Sequence, residues 1–130
     1  MLVDDSAKAA LRGLQEMTLL HLEIDVSEEA INFLNSTSGI DLDSVIVHVS
    51  PDPLKYAFYR PHGADGVIFI YTKLYSQSVK HRMVHSRATR TIIATAQEEG
   101  LKISKKVTFP TLLSSIFIYD LTYAWIYLLG

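Results

Sequence analysis

The chain has 130 residues, 48% of them hydrophobic and 20% charged, and no cysteine. That length fits one domain with a sizeable core, and the missing cysteines exclude disulfides, thiolate nucleophiles and cysteine-bearing zinc sites. A formal net charge of −2 is a poor fit to general nucleic-acid binding, but it hides an asymmetry. Residues 1–65 carry four basic and eleven acidic side chains, a balance of −7; residues 66–130 carry eight basic and three acidic ones, a balance of +5. Asp4, Asp5, Lys8 and Arg12 break up any apolar run at the N-terminus, which does not read as a signal peptide.

In chain order, residues 6–16 read as a first helix, capped by Ser6 or Asp5, with Ala9, Ala10, Leu11 and Leu14 as a partial apolar stripe. Residues 19–25 alternate, with Leu20, Leu22 and Ile24 on one face and His21, Glu23 and Asp25 on the other. That pattern predicts a strand with one wet face. Residues 30–37 follow a short acidic turn and pair with it as a hairpin or meander. Residues 38–53 hold an apolar run, Val45 to Val49, between acids and prolines; a short helix and an irregular crossing segment both fit. Residues 55–60 are a third strand, 61–66 are turn chemistry throughout, and 67–71 are apolar enough for a strand covered on both faces. A long helix over about 76–99 stops at Gly100, and residues 101–109 form a last strand. This order predicts an α+β fold in α/β/α layers, a mixed central sheet flanked by helices.

Motifs for catalysis are missing. The chain has no GxxxxGK[ST] loop, no GxGxxG and no serine in a nucleophile elbow, so it does not read as an enzyme and no cofactor is implied. His81 and His85 stand four apart, a spacing that can hold zinc, but the helix has no acid until Glu98 to support them. Both are read onto the core-facing side. Glu28, Glu29, Asp41 and Asp43 fall in turns, where solvated or capping roles are the default.

The most distinctive stretch is 78–90, which holds four of the twelve basic residues and no acid. At 100° per residue, Val79, Lys80, Arg82, Met83, Ser86, Arg87 and Arg90 fall within an arc of about 160°. Val84, Ala88, Thr91, Ile92, Thr95 and Ala96 occupy the opposite arc. This is an amphipathic helix with an apolar back and a basic front. A methionine inside a basic front suits a partner with an acidic rim and an apolar cleft. A solvated basic face, with Met83 at the edge of the core, is the plainer reading.

Taken together, Leu-Glu-Ile-Asp at 22–25, Lys-Tyr-Ala-Phe-Tyr at 55–59, Val-Ile-Phe-Ile-Tyr at 67–71, Val-Lys-His-Arg-Met at 79–83 and Leu-Lys-Ile-Ser-Lys-Lys at 101–106 resemble the actin-depolymerising-factor homology (ADF-H) family, in particular the C-terminal ADF-H domain of the twinfilin group. The likeness covers residues 6–108 of what reads as one domain over 1–130. It implies the cofilin/gelsolin-like fold and a cytoplasmic, monomeric, non-enzymatic protein of the actin cytoskeleton. It further implies binding and sequestration of monomeric actin, with preference for the ADP-bound form, through the long helix. The family's basic-x-basic-Met motif matches Lys80, Arg82 and Met83: by resemblance the two cations pair with actin acids and the methionine fills an apolar cleft. Arg87 and Arg90 extend this face without aligning to the family's later basic residue. His85 stands where the family often has tyrosine, which alters packing under the helix. The family's filament-side contacts use basic residues on the strand before the long helix and on the last helix. Residues 63–72 hold none, nor does the chain after Lys106, which favours monomer binding over severing.

Residues 109–130 carry a single charge, Asp120. Their end resembles the Asp-Leu-Thr-x-x-Trp closing helix of glia maturation factor, which makes regulation of the actin branching complex the alternative function. The basic helix and apolar tail make a phosphoinositide- or membrane-binding module a further one. The tail is long enough to span a bilayer, but Asp120 in mid-segment would cost about 3 kcal/mol there. A final element packed on the sheet is therefore expected, ahead of a membrane anchor or a self-association patch.

Overall fold

The computed structural model describes residues 1–72 and 78–108. Ten elements follow in order: β1 (Leu2–Val3), α1 (Asp5–Arg12), β2 (Thr18–Asp25), β3 (Ala30–Thr37), a 3-10 turn (Leu42–Ser44), α2 (Val45–His48), β4 (Lys55–Arg60), β5 (Val67–Tyr71), α3 (Val79–Glu98) and β6 (Ile103–Thr108). One six-stranded sheet runs in the order β1-β3-β2-β4-β5-β6. The pairs β1·β3 and β5·β6 are parallel and the other three antiparallel, so the sheet is mixed, as expected. The expected tail element at 109–130 and the expected helix start before residue 78 lie outside the described residues.

Strand alternation divides the core in two. Leu20, Leu22, Ile24, Tyr56, Phe58, Val67 and Phe69 face α1 and α3, meeting Ala7 and Leu11 from the first helix and Val84, Ala88, Ile92 and Ala96 from the second. Leu19, Ala57, Tyr59, Ile68 and Ile70 face the other way, against Ile40, Val45, Ile46 and Val49. Helical elements on both faces give three layers. β5 is buried along Val67–Ile70, which accounts for its almost uninterrupted apolar sequence.

Four expectations need correction. The first helix is capped by Asp4, whose carboxylate accepts from the Ser6 N–H at 3.3 Å, not by Ser6 or Asp5. It ends at Arg12, because Leu14 turns into the core and Met17 takes a left-handed φ of 56°. The supposedly wet face of β2 is largely covered: the 3-10 turn and α2 lie over it, and His21 is buried. Only Glu23 and Asp25 reach the surface there. β1 was not expected at all. Its two residues pair with Ala30 and Ile31, too short a run to show a period.

The junction of β5 and β6 depends on Gly66. A Cβ built there would overlap the Ser104 hydroxyl and stand 2.9 Å from the Lys102 carbonyl oxygen. The same carbonyl accepts the Val67 N–H at 2.8 Å. The strands can only approach this closely without a side chain. Gly66→Ala is therefore expected to lower stability by about 1–3 kcal/mol, read as a reduced urea midpoint with unchanged slope; an unchanged midpoint would show that β6 yields freely.

Candidate functional site

The long helix begins against electrostatic preference. Ser78 caps it, its hydroxyl oxygen accepting from the His81 N–H at 3.2 Å and lying 2.7 Å from His81 Nδ1. No acid sits in the first turn. Lys80 and Arg82 instead crowd the end where the helix dipole is positive, an arrangement unfavourable by about 0.3–1 kcal/mol per charge. An acidic partner would offset that cost.

The back of α3 is as the period predicts: Val84, Ala88, Ile92, Thr95 and Ala96 are buried, with Thr91 half-buried. Tyr56 fixes the helix to the sheet. Its hydroxyl donates to the His85 carbonyl at 3.1 Å and lies 2.5 Å from the Thr89 hydroxyl. Burial raises the Tyr56 phenol above its ordinary range, so it stays a neutral donor at any physiological pH.

Of the expected site residues, Val79, Arg82, Met83, Ser86, Arg87 and Arg90 together line one open depression of about 280 Å³ on the front of α3. Lys80 is exposed beside it. Met83 is 60% and Val79 62% exposed, so the plainer reading of Met83 as an edge of the core does not hold. Two apolar side chains stand out in water between cations, which is the composition of an interface centre with a polar rim. Arg87 is partly engaged: its guanidinium donates to Glu29 at 3.2 Å, across from the β2–β3 turn, where Glu29 has a left-handed φ of 49°. That pair joins residues 58 apart and had no signal in the local sequence. Both partners are about half exposed, and such a pair contributes little.

The two helix histidines separate. His85 is core-facing as expected, its ring 5.6 Å from that of Tyr56. His81 is not; it is half-buried beside the cap. Among the described residues no group of three or more metal-ligating side chains is present. Burial pushes the His85 imidazole below its ordinary value, with the Pro53 and Thr72 backbones offsetting part of the shift, and its Nε2 has no hydrogen-bond partner. His21 is lowered as well, again mainly by burial. For a lowered histidine the unfolded chain takes up its proton first as pH falls, so stability is full above about pH 6.5 and declines below it. A melting temperature that falls between pH 7 and pH 5 is expected. His85→Gln should flatten part of that fall; a profile unaltered by His85→Gln would show that this ring is not its source.

A six-stranded mixed sheet between helices, with its longest helix presenting an exposed front, is the ADF-H fold. A cofilin structure from Streptomyces griseoflavus aligns over 95% of this chain and 97% of its own, with a TM-score of 0.66 and 13% identity. Glia maturation factor from Caenorhabditis elegans aligns over 87% and 92%, with a TM-score of 0.57 and 16% identity. In sequence the chain is related to twinfilins. It is 30% identical over 111 residues to that of Schizosaccharomyces pombe and 28% identical over 110 residues to that of Aedes aegypti. These matches cover 82% and 78% of this chain but 34% and 32% of the twinfilins, so the chain spans about a third of their length. No protein-family model matches it.

Proposed function

We propose that this chain binds monomeric actin through the front of α3 and sequesters it, acting without catalysis in the cytoplasm at the actin cytoskeleton. The observation that carries this reading is the exposed Met83 and Val79 set among Arg82, Arg87 and Arg90 on one open surface. The twinfilin relationship supports it. In this mechanism the cations steer the helix toward an acidic rim and set the on-rate and specificity, while Met83, buried on docking, contributes a larger share of affinity. The proposal includes a preference for ADP-bound monomer, which the family resemblance implies. Residues 63–72 offer no cation for a second, filament-side contact, and severing is not part of the proposal.

The test is the affinity of the chain for fluorescent monomeric actin carrying ADP or ATP. Sub-micromolar binding that differs between the two nucleotides is expected. No binding to either form by a folded sample would overturn the reading.

A further inference from the structure

A second depression, of about 270 Å³, opens on the opposite side of the sheet, at the margin of the α2 layer. His21 comes to it from β2, Leu34 and Asn35 from β3, His48 and Ser50 from α2 and the loop after it, and Lys55 from β4. A regular strand would turn Leu34 and Asn35 to opposite faces. Here the β2–β3 register slips: His21 lies opposite Asn35 and Leu22 opposite Phe33. Leu34 is thus the extra residue of a β-bulge, a device that re-aims side chains, and Leu34 and Asn35 both line the pocket.

The polar groups around it have a consistent character. None is a carboxylate, although acids outnumber bases eleven to four in residues 1–65. Lys55 is a fixed cation, and Ser50, Thr37 and Asn35 carry donors. His21 is only 7% exposed. Its Nδ1 lies 3.2 Å from Asn35 Oδ1 and its Nε2 has no partner. An amide oxygen only accepts, so Nδ1 carries the proton and Nε2 is a bare buried acceptor in the neutral ring, a costly state. His48 is fixed similarly, its Nδ1 2.9 Å from the Ser44 carbonyl oxygen. A metal ion would use such nitrogens, but Lys55 repels a cation, and no third histidine or carboxylate joins them among the described residues. A dianion uses all of these groups: it attracts Lys55 and makes a proton on Nε2 favourable, turning an orphaned acceptor into a charged donor.

We propose that this pocket binds a phosphate monoester, with Lys55 as the fixed cation, His21 taking up a proton on binding and His48 at the rim. The titratable and charged groups facing His21 are Lys55, His48 and, two residues along its own strand and opposite Lys55 in register, Glu23; β3 contributes none. In the empty pocket burial, then Lys55 and His48, hold the His21 imidazole below its ordinary value, against the Asn35 hydrogen bond. A bound dianion offsets the charges of Lys55 and His48 and favours the imidazolium against burial, so the complex takes up a proton and tightens as pH falls.

The experiment is a titration of the full chain with inorganic phosphate and glycerol phosphate, followed through the histidine ring resonances by NMR. Vesicles with and without phosphatidic acid form a second arm. Saturable shifts of His21 and His48 are expected, with affinity for glycerol phosphate rising by up to about tenfold per pH unit from pH 8 to 7, above the ester's own second ionisation at about pH 6, for one proton taken up. Lys55→Gln, at the half-buried rim, should weaken binding about ten- to a hundredfold, and His21→Gln should remove the pH dependence. Response to the soluble esters supports a free metabolite as ligand, and response confined to phosphatidic acid vesicles supports a lipid headgroup. Equal shifts with chloride at matched ionic strength, no response in either arm, or a response to zinc but not phosphate would overturn the proposal.

Discussion

Replacing Lys80 and Arg82 together by alanine is expected to lower affinity for monomeric actin by about thirtyfold or more, some 2 kcal/mol, while leaving the fold intact. Both side chains are exposed and outside the two core clusters. Both oppose the helix dipole at its N-terminal end, so their removal relieves that repulsion. The loss should appear mainly as a slower on-rate and a weaker salt dependence, the signature of steering charges. Met83→Ala should behave differently. It removes an apolar side chain that is 60% exposed in the free chain and whose burial is worth about 1.5–3 kcal/mol, so it should raise the off-rate with salt dependence unchanged. Stopped-flow measurement with fluorescent actin at two salt concentrations separates the cases. Unchanged affinity in the double variant, with its melting temperature retained, would sink the assignment of this face.

What could be read in advance was whatever is carried by a local period. The alternation of Leu20, Leu22 and Ile24, the apolar block at Val67–Ile70 and the opposed arcs of α3 each repeat often enough to show which way side chains point. The front of α3 was legible for the same reason: seven positions within one arc need only helix geometry to be brought together. What stayed hidden depends on partners remote in sequence. His21 looked wet because its strand alternates, and nothing in residues 18–25 says that Val45 and Ile46 will cover that face. Val45–His48 is a helix of four residues, and a run that short has no period to distinguish it from a strand. Leu2–Val3 becomes a strand only because Ala30 and Ile31 are there to pair with it. The bulge at Leu34 and the contact of Arg87 with Glu29 belong to this class too, since each exists only through a register or a turn set elsewhere.

The largest effect on stability is expected from Phe69→Ala, about 3–5 kcal/mol. Phe69 is fully buried in the layer beneath α3, with its ring centroid 4.9 Å from Phe58, 5.4 Å from Tyr71 and 5.5 Å from Tyr56. These neighbours sit on β4 and β5, whose backbones are hydrogen-bonded into the sheet, so they cannot collapse into the space left and much of the cavity persists. Against a typical domain stability of about 5–15 kcal/mol, that loss leaves a marginal fold. The consequence reaches the candidate interface through one route: Phe69 supports the ring of Tyr56, and Tyr56 holds α3 at His85 and Thr89. In urea the Phe69→Ala midpoint should fall sharply with the slope retained. Actin binding should fall only in proportion to the unfolded fraction and return on cooling toward the stability maximum. The Lys80 and Arg82 variant should show the converse, full stability and lost binding. A Phe69→Ala cost under about 1 kcal/mol would contradict a close-packed layer beneath the helix, and binding lost from a fully folded Phe69→Ala sample would show that the aromatic layer sets the position of α3 as well as its stability.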